Sequence, residues 1–275
     1  MLAALAALSL CIAAHAADTE RERILSHGPW PPPVTKSSTA LVALGERLFF
    51  EPRLSGTGSV LCATCHVPYR SFQDGRALGF GLEQVDRNTP TLLNVALYGR
   101  FGWDGGRDSL AKQSVRPLLE AREMRSSAAH VATFVRKSLV ADYAKAFGTP
   151  ADDETVLANV GRALAAYQAT LVSERTRFDD FRDALEAGEA KRMARYPAAA
   201  QRGLRAFVAE CSSCHAGPMF SSGAIVERIR VPGLRNVALT APYMHDGRVA
   251  TLEEAATHTG TKHGKDVVEF LRSLQ

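Results

Sequence analysis

Two short motifs hold the residues best suited to chemistry. The first reads CATCH at 62–66 and the second reads CSSCH at 211–215. Two cysteines separated by two residues and followed at once by a histidine form the attachment signal of c-type haem. The thiols bond the two vinyl groups, and the imidazole becomes the proximal iron ligand. We therefore expect two covalent haems, held by Cys62, Cys65, His66, Cys211, Cys214 and His215.

Two other uses of these cysteines explain the sequence less well. A structural zinc site would use the four thiols without requiring His66 or His215. A redox dithiol needs a thioredoxin-like setting, which the surrounding sequence lacks. The two histidines therefore favour haem.

A longer repeat follows each motif. Residues 90–110 read PTLLNVALYGRFGWDGGRDSL and residues 232–252 read PGLRNVALTAPYMHDGRVATL, and the two align without a gap. Trp103 in the first copy aligns with His245 in the second. Because each copy follows its own CxxCH motif at a similar distance, the chain contains two related units. This arrangement predicts two cytochrome c-like haem domains in tandem, mostly α-helical, with long loops and little β-structure.

Apolar residues at helical spacing indicate the elements that position these motifs. A stripe containing Leu44 and Phe49 precedes the first CxxCH motif, and a stripe containing Leu204 and Phe207 precedes the second. A helix is therefore expected before each motif. Residues 152–190 predict further helices that join the two units.

The chain divides into four predicted segments. Residues 1–16 are mostly apolar and end in Ala14-His15-Ala16, the pattern of a signal peptidase site, although a buried N-terminal helix is the alternative. The segment WPPP favours an extended structure after the leader. We expect a signal peptide at 1–16, an extended N-terminal arm at 17–37, a first cytochrome c domain with linking helices at 38–190, and a second at 191–275.

Charge and hydropathy limit the cellular setting and the partners. The leader is too short to span a membrane, and no other segment has the apolar length for it, so a periplasmic protein without a membrane span is expected. The net charge is +4, with Lys and Arg interleaved with Asp and Glu. This pattern favours an acidic protein partner and argues against nucleic acid.

With these motifs the chain resembles the bacterial dihaem cytochrome c peroxidases and their relative MauG. The resemblance covers nearly all of the chain after the leader, and its motifs are CATCH, RNTPTLLNVAL, WDG, SLAKQ with AREM, CSSCH, and VPGLRNVALTAPYMHDG followed by ATLEEA. The stretch GWDGGRDSLAKQSVRPLLEAREM is more similar to MbnH, a dihaem enzyme that oxidises tryptophan on a partner protein. The resemblance implies that the first haem, with His66 as proximal ligand, is the peroxidatic one.

The resemblance also implies roles for three residues near the peroxide. Glu123 matches the family's catalytic glutamate, which takes a proton from one peroxide oxygen and delivers it to the other. Gln113 matches the hydrogen-bonding partner of that glutamate. Trp103 matches a tryptophan between the haems, which can relay an electron, although tryptophan is also a common core residue.

The loop after the first CxxCH motif departs from the ordinary peroxidases, which carry a distal histidine there. The loop reads RALGFGLEQ, with Phe80 where the histidine is expected, and no histidine occurs between His66 and His130. Because phenylalanine cannot ligate iron, the first haem is expected to be open or water-ligated at rest. The alternative is a shifted loop with another ligand.

Two further sites follow from the resemblance. The family places the sixth ligand of the second haem just after ATLEE, where an ungapped count reaches Thr259, a poor haem ligand. We favour His258 over an open site, although the one-residue offset turns a helix by about 100°. Asn88, Thr240 and Pro242 match the family's inter-haem calcium ligands, through one side-chain oxygen and two backbone carbonyls.

The expected function is that of a periplasmic peroxidase. Hydrogen peroxide would be reduced at the first haem, with electrons relayed through the second haem from a small cytochrome c or a copper protein. The alternative is a MauG- or MbnH-like oxidase that modifies a residue, such as tryptophan, on a partner protein. A second alternative, a plain dihaem electron carrier, leaves Trp103, Gln113 and Glu123 without a role.

Overall fold

The computed structural model describes residues 19–32 and 36–275, so the predicted signal peptide at 1–16 lies outside the described residues. Within that range the chain is mostly helical. The helices are α1 (19–25), α2 (Thr39–Phe49), α3 (Cys62–Cys65), α4 (Leu110–Leu119), α5 (Ala128–Phe134), α6 (Val140–Phe147), α7 (Asp153–Gln168), α8 (Arg177–Ala187), α9 (Ala190–Met193), α10 (Ala198–Glu210), α11 (Leu252–Ala255) and α12 (Gly264–Arg272).

Little β-structure is present in the described part of the chain, which confirms the predicted fold class. Strands β1 (Ile225–Val226) and β2 (Ile229–Arg230) form an antiparallel hairpin in which Val226 pairs with Ile229. Long loops connect the short helices, and a π-helical turn at Val135–Leu139 joins α5 to α6. Within residues 19–32 and 36–275, no helix combines the length and the apolar character needed to cross a bilayer.

The first hydrophobic core forms where α2, α4 and α5 pack on α7. The side chain of Asp152 caps α7 by accepting a hydrogen bond from the Thr155 N–H at 3.0 Å. The apolar residues of α7 that recur at helical spacing are buried in this core: Val156, Leu157, Val160, Leu164 and Tyr167. The stripe of α2 is buried as well, at Leu44, Gly45, Leu48 and Phe49. The helix predicted before the first CxxCH motif is therefore confirmed.

The second core repeats this arrangement with α10 and α12. The predicted residues Leu204, Phe207 and Val208 of α10 are buried. Phe178 of α8 packs against Phe220 and Phe270 in the same cluster. The aromatic residues of α8 therefore join the second core, although the predicted first domain extended to residue 190.

The segment before α2 differs from the predicted extended arm. Residues 19–25 are helical, and Ile24 is buried in the second core. Trp30 is also buried, and its Nε1–H donates to the Ser173 carbonyl at 3.0 Å. Further hydrogen bonds join His27 to the Gly217 carbonyl and Arg175 to the Trp30 carbonyl. Apolar contacts and several hydrogen bonds thus fix this segment against later parts of the chain, where an isolated arm would be extended.

The sequence repeat is also a repeat of backbone conformation. Asn94 and Asn236 have φ of 64° and 61°, and Gly105 and Gly247 have φ of 64° and 62°. A 3-10 turn follows each asparagine, at Val95–Leu97 and Val237–Leu239. Equivalent β-bridges close the two loops, between Phe101 and Arg107 and between Tyr243 and Val249.

Two glycines allow the closest helix contacts, one in each core. A Cβ placed on Gly45 of α2 would lie 1.9 Å from the Ala163 carbonyl oxygen of α7. A Cβ on Gly203 of α10 would lie 1.8 Å from the Asp266 carbonyl oxygen of α12. The helices can approach this closely only where a side chain is absent.

Replacing Gly45 by alanine is expected to destabilise the protein by about 1–3 kcal/mol, because the added methyl group overpacks the α2–α7 contact. In an exposed helix the same change would stabilise by roughly 0.5–1 kcal/mol, so the sign of the effect reports the contact. Denaturant unfolding of the haem-loaded protein measures it. Gly99→Ala is the control, since no atom lies within 4 Å of the added Cβ. Equal stability of the two variants would contradict the packing described.

Candidate active site

His66 ends the short helix α3 and is held in one orientation by the backbone. Its Nδ1 lies 3.1 Å from the carbonyl oxygen of Phe72. Because a carbonyl only accepts, Nδ1 carries the proton and Nε2 is left as the free ring nitrogen. Phe72 presents this carbonyl from a left-handed conformation with φ of 57°. Burial lowers the pKa of His66, which favours the neutral imidazole that ligates metals.

His215 is held in the same way in the second half of the chain. Its Nδ1 lies 3.0 Å from the carbonyl oxygen of Phe220, which has φ of 52°. Burial lowers the pKa of His215 as well. Each CxxCH motif is thus followed by a turn whose left-handed phenylalanine orients the histidine.

A continuous cavity of about 510 Å³ extends between the two histidines. Cys62, Cys65 and His66 of the first motif line it, and so does His215 of the second motif. The four cysteines of the two motifs are all free thiols, available for attachment. Two oriented neutral imidazoles, unpaired thiols and a shared cavity are what two covalently attached haems require, so the residues fit the predicted cofactors.

Helix α4 and the turn after it supply the polar wall of the cavity near His66. Gln113 and Glu123 both line this wall, without a hydrogen bond between their side chains in the described residues. The Glu123 carbonyl accepts the Leu82 N–H at 3.0 Å, which ties the turn to the loop after α3. Burial raises the pKa of Glu123, and Arg116 opposes this effect. A carboxyl whose pKa is raised by burial is suited to proton transfer.

Trp103 lies on the cavity wall where the two halves meet. Its Nε1–H donates to the Asn88 carbonyl at 2.7 Å, and the Asn88 N–H donates to the His245 carbonyl at 2.9 Å. The rings of Trp103 and His245 are edge-to-face, with centroids 6.5 Å apart. The two positions that align in the sequence repeat therefore face each other across the boundary between the repeats. The placement of Trp103 between the two haems stays a prediction.

Phe80 does not occupy the place expected for a distal residue. Its side chain is 44% exposed and lies beside Arg76, with the guanidinium carbon 5.4 Å from the ring centroid. Gly79 and Gly81 line the cavity instead. Successive residues in this extended, bridged loop face opposite sides, and a Cβ on Gly81 would lie 2.6 Å from the Glu123 carbonyl oxygen. The tight approach of the glycines thus directs Phe80 outward, which corrects its predicted placement.

The remaining predicted residues also reach the cavity. His258 lines it, with Nδ1 2.8 Å from the Ala255 carbonyl, so that Nε2 is again the free nitrogen. Asn88, Thr240 and Pro242 line it too. The Asn88 side-chain amide donates to the Arg76 carbonyl at 2.8 Å, which leaves its side-chain oxygen as an acceptor. The predicted calcium set therefore lines the same cavity but offers no carboxylate.

The family profile described as "Di-haem cytochrome c peroxidase" matches residues 39–187, more than half of the chain. The chain belongs to this family. It is therefore a cytochrome c peroxidase-type oxidoreductase, and the family implies two haems.

Curated relatives of this dihaem family member fall into two groups. Methylamine utilization protein MauG of Methylorubrum extorquens is 35% identical over 247 residues, covering 79% of this chain and 67% of the relative. Cytochrome c551 peroxidase of Pseudomonas aeruginosa is 30% identical over 282 residues, covering 84% of this chain and 77% of the relative. The relatives thus divide between MauG proteins and cytochrome c peroxidases.

Solved structures share the architecture of this family member. A crystal structure of a MauG-like protein associated with microbial copper homeostasis matches with a TM-score of 0.71 and 27% identity, covering 90% of this chain and 95% of the other. The dihaem peroxidase BthA of Burkholderia thailandensis matches with a TM-score of 0.73 and 24% identity, covering 88% and 87%. The second match supports the fold alone. The mostly helical dihaem architecture is confirmed.

Several site residues were not predicted from the sequence. Arg116 forms a hydrogen bond with Glu123. In the sequence, its position one helical turn after Gln113 was the one feature that could have pointed to this contact. The carbonyls of Phe72 and Phe220 orient the two histidines. Because every residue type has a backbone carbonyl, the sequence does not identify this role. A phenylalanine five or six residues after each CxxCH histidine was the one trace in the sequence.

Replacing Cys62 and Cys65 together by alanine is expected to remove one covalent haem and leave the other, because each motif holds its own haem. Mass spectrometry of the mature protein, made with a c-type maturation system, measures the haem count. The matched variant replaces Cys211 and Cys214 and should also lose one haem. An unmodified protein that carries one haem or none would rule out the dihaem site.

Proposed function

We propose that this family member reduces hydrogen peroxide beside His66, with electrons delivered through its second half by a donor protein. One observation carries the proposal: both oriented histidines, Trp103 and the half-buried carboxyl of Glu123 line a single cavity. A plain electron carrier needs the histidines but has no use for a carboxyl placed in the cavity for proton transfer. The arrangement therefore favours catalysis over electron storage.

His66 and His215 would hold the two haem irons, and the cysteines of each motif would bond the rings. When bound, the haems supply an iron that takes up peroxide and a second redox centre that stores an electron. The protein supplies proton transfer. Glu123 would accept a proton from one peroxide oxygen and return it to the other, so that the O–O bond breaks with water as the leaving group. Two electrons and two further protons complete the reduction to two waters.

Trp103 would provide the electronic connection between the two halves. Its ring lies on the shared cavity wall, and its hydrogen bond to the Asn88 carbonyl fixes the ring in place. His245 faces it from the second repeat. An aromatic ring held between two redox centres shortens each electron-transfer step.

The histidines that line the cavity indicate the sixth ligand of each haem before peroxide is added. The loop that carries Phe80 contains no histidine, so we propose an open or water-ligated first haem. His258 would be the sixth ligand of the second haem, because its free Nε2 and His215 share the cavity. Asn88, Thr240 and Pro242 would hold a calcium ion between the halves through neutral oxygens.

The donor would be a small cytochrome c or a copper protein in the periplasm. The net charge of +4 suits an acidic donor surface. Covalent haem attachment and the predicted signal peptide support a periplasmic location.

A second candidate is a MauG-like oxidase that withdraws electrons from a residue of a partner protein. Two observations favour it: the loop after the first CxxCH motif lacks a histidine, and no methionine follows ATLEE. The 35% identity to MauG of Methylorubrum extorquens supports it as well. Peroxide consumption with a reduced cytochrome or copper protein, compared with covalent change in a candidate partner protein, separates the two.

Glu123→Gln is expected to slow peroxide cleavage by about two to four orders of magnitude, the usual contribution of a positioned acid–base group. The amide keeps the size of the side chain but cannot take up the proton. Stopped-flow spectroscopy at a series of peroxide concentrations measures the rate. Haem content and resting spectra should be unchanged, and an unmodified rate would show that Glu123 is not the base.

Trp103→Phe is expected to slow electron transfer between the two haems without slowing the reaction with peroxide. The ring is replaced by a smaller aromatic core residue, so the fold should persist. Peroxide should still react beside His66, but the second oxidising equivalent should reach the other haem slowly or not at all. Stopped-flow spectra that resolve the two haems measure both steps. If both haems are oxidised at the unmodified rate, Trp103 is a packing residue and the electron takes another path.

A further inference from the structure

A cation lies beside the proposed catalytic carboxyl. Arg116 follows Gln113 by one turn of α4, and its Nη1 lies 3.1 Å from Oε1 of Glu123. Both side chains line the cavity. The Arg116 side chain is 46% exposed and that of Glu123 is 24% exposed, so the cation is at the rim and the carboxyl is deeper.

The other charged residues near Glu123 make no hydrogen bond to its carboxyl among the described residues. Arg122 is engaged by Asp86 through two hydrogen bonds of 2.9 and 2.7 Å. Glu120 lies 3.8 Å from Arg116 and competes weakly for it. The charged and titratable groups around Glu123 besides Arg116 are Glu120, Arg122 and the thiols of Cys62 and Cys65. Haem attachment converts the two thiols to neutral thioethers, so they no longer titrate. Among the described residues, Arg116 is then the cation in hydrogen-bond contact with the Glu123 carboxyl.

We propose that Arg116 is a positioning residue for Glu123, which holds Oε1, leaves Oε2 free for the peroxide proton and keeps the carboxyl ionised before peroxide enters. The inference rests on the proposed role of Glu123. In the proton-transfer step, a peroxide O–H bond breaks and an O–H bond forms at Oε2. The carboxyl then becomes neutral, and its hydrogen bond to Arg116 loses the charge–charge component. Return of the proton to the second peroxide oxygen restores the ion pair.

The electrostatics of the site agree with this role. Burial raises the pKa of Glu123, and the charge of Arg116 is the largest effect that lowers it. Removing Arg116 would therefore raise the pKa of Glu123 further. As the pH falls, Glu123 of the variant would therefore take up its proton at a higher pH than Glu123 of the unmodified protein.

Arg116→Gln and Arg116→Lys test this inference through the pH dependence of the peroxide reaction. Arg116→Gln should react about two- to fivefold more slowly on the acid side, the effect expected of a half-exposed ion pair, and at nearly the unmodified rate at high pH. Arg116→Lys keeps the charge and should recover much of the acid-side rate. Arg125→Gln is the control, because Arg125 lies in the same turn as Glu123 but pairs with Glu83, 42 residues earlier in the chain. A uniform loss at every pH would indicate a structural role and overturn the inference.

Cyanide binding to the ferric protein gives a second readout that does not depend on turnover. Hydrogen cyanide must lose a proton to bind iron, so the same base should assist it. The association rate should show the same acid-side loss in Arg116→Gln and recovery in Arg116→Lys. If Glu123→Gln leaves the peroxide rate unchanged, the proposed function fails. If Glu123→Gln is slow while the Arg116 variants keep the unmodified pH profile, only the role of Arg116 fails.

Discussion

The structure depends on the hydrogen bond that fixes each CxxCH histidine. In both halves Nδ1–H is donated to the carbonyl of a phenylalanine in left-handed conformation, Phe72 or Phe220. This bond selects the tautomer and directs Nε2 as the free nitrogen. The surrounding apolar core keeps the imidazole neutral by burial. The packed helices hold the two motifs, and the turns after the motifs hold the two imidazoles. The free Nε2 atoms are thereby kept in place.

The two sequence copies share one backbone conformation, and residues of both line the site. The repeats at 90–110 and 232–252 share left-handed positions and loop bridges, so they place equivalent residues at equivalent points. Trp103 and His245 are such a pair, and they meet edge-to-face at the boundary. The two copies have nonetheless diverged in chemistry. In the described part of the chain, the first copy is followed by the ten-residue α4 and the half-buried Glu123, whereas the second copy runs directly into the short helix α11.

The sequence predicted the features that local pattern encodes. The helix stripes around Phe49 and Phe207 and the repeated loops are present as expected. What it missed depends on tertiary contacts. Residues 19–25 are helical because they pack on the second core, and Phe80 faces outward because its flanking glycines approach the chain closely. The Arg116–Glu123 contact required a turn that brings residues seven apart together, which residue types alone do not specify.

In the proposed reaction, the two halves of one chain join a peroxide site to a second redox centre. The most direct test is to reduce the haem-loaded protein fully, mix it with one equivalent of hydrogen peroxide in a stopped-flow instrument and count the electrons removed. We expect rapid loss of two electrons for each peroxide consumed. A reduced protein that keeps its electrons, or loses them only as slowly as free haem would, contradicts it and indicates an electron carrier.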